Sequence, residues 1–417
     1  MSGWLSWSER LVSQSENSSV SQEARGNGSL PGLFPPYAVI ACSVVFFWSI
    51  SVRALIYTLM PTIAGDLGLS SSLAGLVISL MLLGYTAGSW LAGWLPLARR
   101  WRILGGVGLS LVGSMLFAAA SSLPMLLAAG VAVGLGVGVY LPLGLSMLVE
   151  VGGSSRRAYY MSIHEVAATL GSFSGSAVVA VILLWTDWHG SIRAWAVVGG
   201  LALLAFFMVR DASGDGRART SARPVPLDGK LVASILSYGI GTILVTGLIS
   251  MLPLILVRAW GLGQSEAASL VGGSRLAGLV GVLIAGFLGD RLGHARVLLG
   301  LQTLCLLGGA AMSVDGYGPL FKAGVLLLAV GASGNITLSP VVVTAAYPPE
   351  EREMAMAMTS GLGGFLGMVA SPALFGALLD LGMGGGPIVA TTIFTLAMML
   401  ATRRLASQPR AAAPSDT

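Results

Sequence analysis

Val52-Arg53-Ala54-Leu55-Ile56-Tyr57-Thr58-Leu59-Met60-Pro61 places an arginine inside an apolar run that begins near Tyr37 and stops at Pro61. About 20 apolar residues, each rising 1.5 Å, cross the hydrocarbon of a bilayer, so the run reads as a membrane-spanning helix. An arginine inside such a helix costs about 2.5–3.5 kcal/mol on insertion scales. Ser49, Arg53 and Tyr57 recur at intervals of four and share one face. That face is polar on a helix that is apolar elsewhere, and it calls for a cavity or a partner beside it.

The rest of the chain agrees with this reading. Hydrophobic residues make up 55% and charged residues only 10%, against about 25% charged in soluble domains. The 58 glycines suit helices that approach one another closely in a membrane. The net charge of +5 is no nucleic-acid signal, because the basic residues fall between apolar runs. Cys42 and Cys305 lie within such runs and give no disulfide framework, and His164, His189 and His294 are too scattered for a metal cluster. Neither a cofactor site nor an enzymatic constellation is expected, and no phosphate-binding loop for ATP occurs.

Residues 1–36 are polar, lack the order of a signal peptide and read as a disordered cytoplasmic tail. Hydropathy then gives twelve spans, near 37–61, 73–95, 103–121, 124–149, 159–185 and 192–209, then near 231–257, 267–289, 297–314, 320–346, 354–380 and 387–402. A charged linker, 210–230, separates two bundles of six at 37–209 and 231–402, and a second tail follows from 403 to 417. The fold class is all-α membrane protein. Loops on one side carry Arg99, Arg100, Arg102, Arg156, Arg157, Arg291, Arg296, Arg352, Arg403 and Arg404, whereas the other side has Arg193, Arg258 and Lys322. The positive-inside rule therefore puts both termini in the cytoplasm, with the chain in the cell (inner) membrane.

The halves resemble each other. Pro61 aligns with Pro253, Gly68-Leu69 with Gly261-Leu262, Gly93 with Gly286, and Pro142 with Pro340. Parallel six-helix repeats place a substrate site at their interface near the bilayer midplane.

At these positions the chain resembles the major facilitator superfamily, over about residues 37–402. The motif is Gly286-Phe287-Leu288-Gly289-Asp290-Arg291-Leu292-Gly293-His294 between spans eight and nine. The resemblance implies gating by Asp290 and Arg291, the aspartate pairing with neighbouring helix ends to lock the outward-facing state. The first-half copy, Gly93-Trp94-Leu95-Pro96-Leu97-Ala98-Arg99-Arg100, has Leu97-Ala98 where Asp-Arg is expected. Gly134 to Pro142 resembles the family's fourth span. An arginine eight residues before the proline of span one also occurs in the organophosphate:phosphate antiporters and anion:cation symporters. The antiporters repeat it in span seven, where this chain has Val245. Porters of nitrate and oxalate use span-eight arginines, and Arg275 lies in that span.

The residues and the resemblance together name the candidate site. Arg53 reads as the anion contact, through its planar fork, against a snorkelling or structural arginine. Tyr57 shares its face. Arg275 is the candidate helper, and Asp66 is a candidate partner for either arginine. Span seven offers Tyr238, Thr242, Thr246 and Ser250 at intervals of four, read as cavity lining against hydroxyls bonded within their own helix. Asn335 with Ser339 in span ten, and Tyr140 in span four, complete the set. Glu165 and His164 open span five and are the proton-coupling candidates; the competing reading is an ion pair with Arg156 or Arg157.

The expectation is a monomeric secondary transporter, embedded in the lipid bilayer, that moves a small organic or inorganic anion by alternating access coupled to protons. A proton-driven drug or metabolite exporter and a transporter-like sensor or assembly protein are the alternatives.

Overall fold

The structure, a computed structural model, describes residues 36–209, 225–314, 318–348 and 351–407. The tail expected at 1–36, most of the linker expected at 210–230 and residues 408–417 lie outside the described residues. Twelve helices are long and apolar enough to span a membrane. We label them α1 (Tyr37–Asp66), α2 (Ser71–Trp94), α3 (Arg99–Ala118), α4 (Leu123–Leu148), α5 (Tyr159–Ile182) and α6 (Trp188–Phe207), then α7 (Gly229–Trp260), α8 (Gln264–Leu292), α9 (His294–Val314), α10 (Pro319–Ala345), α11 (Met354–Asp380) and α12 (Gly386–Ala406).

Local sequence explains where these helices start and stop. Ser70 accepts from the Leu73 N–H at 3.2 Å, Asp187 from Gly190 at 2.7 Å and Asp228 from Leu231 at 2.9 Å, each capping the first turn of a helix. Gly68 and Gly261 close α1 and α7 with φ of 62° and 67°. That left-handed conformation is open to glycine at little cost, which gives the aligned pair its physical meaning. One boundary needs correcting. The first helix does not stop at Pro61 but runs to Asp66 with Pro61 inside it. Proline withdraws a single helical hydrogen bond, the one to the Tyr57 carbonyl, and the buried apolar turns around it carry the helix onward.

Between α4 and α5 the backbone keeps a helical pattern from Leu123 to Ile182, yet the chain reverses there. Tyr140 and His164 touch at 2.9 Å, whereas a straight helix would hold residues 24 apart at about 36 Å. Two π-helical turns interrupt α7 at Ile243–Leu248 and α11 at Phe365–Ala370, and they pack against each other.

The described residues from Tyr37 onward form one compact unit. Within it α1–α6 pack mainly among themselves, as do α7–α12, and the groups meet through α2 with α11, α5 with α8, and α1 with α7. Small residues set the spacing inside each group. A Cβ on Gly134 of α4 would lie 1.9 Å from the Met81 carbonyl oxygen of α2, whereas one on Gly130 would meet nothing closer than 3.5 Å. We therefore expect Gly134→Leu to lower the thermal midpoint of the purified protein, since overpacking costs about 1–3 kcal/mol or more. Gly130→Ala should leave the midpoint within error, as scanning fluorimetry would show.

Candidate functional site

Arg53 sits in α1 with its Nε donating to the Ser49 carbonyl at 3.0 Å. Its guanidinium carbon lies 4.5 Å from the ring centroid of Tyr85 on α2. The Nε bond and the ring contact together hold the fork in place. One turn on, Tyr57 is buried with its hydroxyl beside the Arg53 guanidinium. Arg275, from α8 in the other half, lies within electrostatic range of both Tyr57 and Arg53, and its buried Nε is unpartnered. Arg53 and Tyr57 thus share one face of α1, and Arg275 on α8 is near enough for its charge to act on both.

Among the described residues, ion pairs within 4.0 Å include Arg99 with Glu150, His164 with Glu165, His294 with Asp290, and Lys322 with Glu266, and neither Arg53 nor Arg275 is in one. Asp66 is no partner to either arginine. It is exposed and accepts from the Trp188 indole at 2.8 Å.

The span-seven stripe does not survive intact. Thr242 is buried and donates to the carbonyls of Gly239 and of Gly363 on α11, at 2.7 and 3.1 Å. Ser250 is buried and donates to Gly247 at 2.8 Å. The π-turn between them breaks the four-residue spacing, and each extra residue rotates the later side chains by about 100°. Tyr238 and Thr246 are half-buried, with surface of their own.

Asn335 and Tyr140 belong to the interiors of the two halves. Asn335 is buried and accepts from Gln302 at 3.0 Å; Gln302 also donates to Thr402, which meets Ser237 at 2.9 Å. Ser339 is buried too, with its hydroxyl unpartnered. Tyr140 donates to the Cys42 carbonyl at 2.6 Å and contacts His164 Nε2 at 2.9 Å. His164 is itself fully buried and stacked on Phe46 at 4.0 Å, while its neighbour Glu165 is exposed and 3.9 Å from the His164 Nδ1. The pair therefore joins a sealed imidazole to an accessible carboxylate. The alternative partner Arg157 lies outside the residues with described side chains.

Hydrogen bonds between the halves gather at one face, the one carrying Asp66, Arg258 and Asp380. The Asp380 carboxylate, at the end of α11, accepts from the backbone N–H groups of Ser71 and Ser72 at 2.8 Å each and from the Ser72 hydroxyl at 2.5 Å. It caps a helix of the opposite half. Arg258 donates to Ser71 Oγ at 3.0 Å and the Leu69 carbonyl at 2.7 Å. Gln264 donates to the Thr58 carbonyl, and Ser79 accepts from the Ala373 N–H at 3.1 Å. A Cβ on Gly75 would come within 2.3 Å of the Pro372 carbonyl oxygen, so the helices nearly touch there. At the other face, Asp290 meets its own half at His294, 3.3 Å away, and Arg291 lies over Phe287 at 3.9 Å. Sequence reasoning missed Tyr85, Arg258, Gln264 and Asp380. Each sits at a helix end or alone on an apolar face, where residue type resembles a boundary or packing.

Two packed six-helix groups, closed at one face over a polar cluster at their interface, define a helical membrane transporter. The chain belongs to the Major Facilitator Superfamily, whose model matches residues 39–232 and 231–417. Its members are transporters of the sugar, anion or drug type, and not enzymes. The chain is 30% identical over 152 residues to a gallate transporter of Pseudomonas putida, covering 36% of this chain and 33% of that protein. It is 31% identical over 183 residues to the arabinose-proton symporter of Escherichia coli K12, covering 42% and 36%. These two matches thus span about a third of each relative. A chloramphenicol resistance protein of Streptomyces lividans is 26% identical over 357 residues, or 80% of this chain and 83% of that one. Among solved structures, a bacterial homologue of the lysosomal transporter Spinster, in an inward-facing and occupied conformation, matches with a TM-score of 0.75 and 16% identity, covering 93% of this chain and 100% of that one. That likeness carries the fold.

Charge-assisted hydrogen bonds contribute about 1.5–3 kcal/mol each, so losing the Asp380 cap should shift the balance between open and closed forms of its face by tenfold or more. We expect Asp380→Ala to raise the labelling rate of a cysteine placed at Ala373 by an impermeant maleimide at least severalfold, relative to Ala373→Cys alone.

Proposed function

We propose that this chain is a secondary active transporter of a small organic anion, working by alternating access and coupled to protons. The convergence of Arg53 and Arg275 from opposite halves carries the reading. A transporter of this fold binds its substrate where its halves meet; in support, Arg53 and Arg275 lie within electrostatic range of each other, and among the described residues no carboxylate is within 4.0 Å of either. An anion would give the buried Arg275 Nε a hydrogen-bond partner and balance charge that the low-dielectric interior otherwise opposes. Similarity to a gallate transporter, whose named substrate is a carboxylate, supports the anion, and that to the arabinose-proton symporter supports proton coupling.

Glu165 and His164 are the groups we assign to the proton. Glu165 is accessible and lies within electrostatic range of Tyr85, the ring beneath Arg53. Its place beside the buried His164 lets a proton taken up from solution be held next to the polar groups of the first bundle. We place the arginine-rich loops and both termini in the cytoplasm of a cell (inner) membrane. The closed Asp380 face is then outermost, and the Asp290 lock is disengaged. The working unit is the monomer, and the boundary between the two bundles falls in 210–230.

A drug exporter is the second reading, favoured by the match to the chloramphenicol resistance protein along most of the chain. The same variants separate the two. In proteoliposomes, Arg53→Ala should reduce anion uptake about 10–150-fold, the range that losing charge-assisted bonds of 1.5–3 kcal/mol allows. Arg53→Lys should recover little of it, because an ammonium cannot present a bidentate fork. Unchanged anion uptake in Arg53→Ala would remove this assignment. Coupling has its own measurement. Glu165→Gln should abolish accumulation driven by a pH gradient yet preserve exchange of labelled for unlabelled anion. Loss of both activities together would instead mark Glu165 as structural.

A further inference from the structure

The closed face holds a cavity of about 580 Å³ that straddles the two halves. Ser71 of α2 lines it from the first half; Arg258 and Ala259 of α7, Leu379 and Asp380 of α11, and Gly384 in the turn after α11 line it from the second. Its two charged side chains are not equivalent. The Asp380 carboxylate accepts from the Ser71 and Ser72 N–H groups at 2.8 Å each and from the Ser72 hydroxyl at 2.5 Å, so its charge is already taken up by a helix end. Arg258 meets only neutral oxygens, Ser71 Oγ at 3.0 Å and the Leu69 carbonyl at 2.7 Å. Among the described residues it is in no ion pair within 4.0 Å. A guanidinium carries five N–H donors, and these bonds leave most of them unused. Other unused polar groups of the cavity are donors as well. Ser71 Oγ accepts from Arg258, and no acceptor among the described residues takes its proton. The Gly384 N–H is in no backbone hydrogen bond there, whereas Met383 and Gly386 each donate one. Ala259 and Leu379 add an apolar wall beside these donors.

We infer that this cavity is a capture site for a small organic carboxylate, held by Arg258 and Ser71 with its hydrocarbon against Ala259 and Leu379. Hydrogen bonds to a charged group are the stronger kind, and a carboxylate supplies the acceptors that the unused donors lack. An ammonium ligand would find the one acid of the cavity engaged. A bare inorganic anion satisfies the donors but leaves the apolar wall without a partner. The cavity lies on the seam between the halves, and that seam must part before anything passes from this face to the interior. A carboxylate bound there waits where the path begins. The inference goes beyond the Arg53 reading and does not depend on it, because the two sites share no residue.

Calorimetric titration of purified full-length Arg53→Ala protein with propionate tests this, since that substitution removes the central arginine. Propionate should bind saturably, and sulfate at least tenfold more weakly. Adding Ala259→Asp sets a like charge in the cavity wall and should weaken propionate binding at least tenfold, as should adding Arg258→Gln. Ala259→Asn has nearly the size of the aspartate without its charge and should keep most of the affinity. That variant separates a lost charge match from a misfolded cavity. No saturable binding in the Arg53→Ala protein, binding undiminished by Ala259→Asp or Arg258→Gln, an equal loss in Ala259→Asn, or sulfate binding as tight as propionate would each overturn the inference. None of these outcomes decides the central site, which anion uptake by Arg53→Ala alone tests separately.

Discussion

A guanidinium inside the membrane cannot shed its charge, and the arrangement at the centre of this molecule is the consequence of having two of them. Lysine in the same place has an escape, since desolvation lowers its pKa until it neutralises; arginine has none. Arg53 and Arg275 must therefore be stabilised by their surroundings. The Ser49 carbonyl and the Tyr85 ring serve Arg53 in part. Neither supplies a negative charge. Arg53 and Arg275, one from each half, are near enough for each charge to act on the other.

The opposite solution is seen at the closed face. There a carboxylate, Asp380, has its charge taken up by helix-terminal N–H groups of another bundle, the arrangement that a helix dipole favours. Closure at this face thus uses backbone groups that any sequence would supply, with one acidic side chain to grip them. Breaking the contact returns both partners to water, so the closed and open forms differ by a small balance of hydrogen bonds rather than by refolding. Near-contact of the helices at Gly75 and Pro372 keeps the interface thin enough for that balance to matter.

The twelve spans were legible in the sequence because hydrophobic length is a property of contiguous residues, and the bilayer sets that length. Arg53 and Arg275 stand out for a related reason, since charge in an apolar run contrasts with its neighbours and marks them as candidates. Polar residues of modest size were not legible in this way. Thr242 and Ser250 have the spacing of a cavity-lining stripe, but their hydroxyls bond to backbone carbonyls beside them. Asn335 and Tyr140 look like site residues in one dimension and are interior hydrogen-bonding groups in three. Asp380 and Arg258 mark span ends along the chain, yet each reaches across to the other half. Pairing between distant helices leaves no trace in local composition, so the inter-bundle contacts had to be seen.

The two π-helical turns that face each other, Ile243–Leu248 and Phe365–Ala370, carry a consequence for how such a chain can change over time. Each turn accommodates its residues in a wider loop than the α-helix on either side of it. A membrane helix normally tolerates no insertion or deletion, because one residue more or less would turn every later side chain toward the wrong neighbour. In α7 and α11 the wide turn absorbs the surplus, and the segments before and after it keep separate facing. Tyr238 on one side and Pro253 on the other can therefore be tuned as independent modules of a single helix.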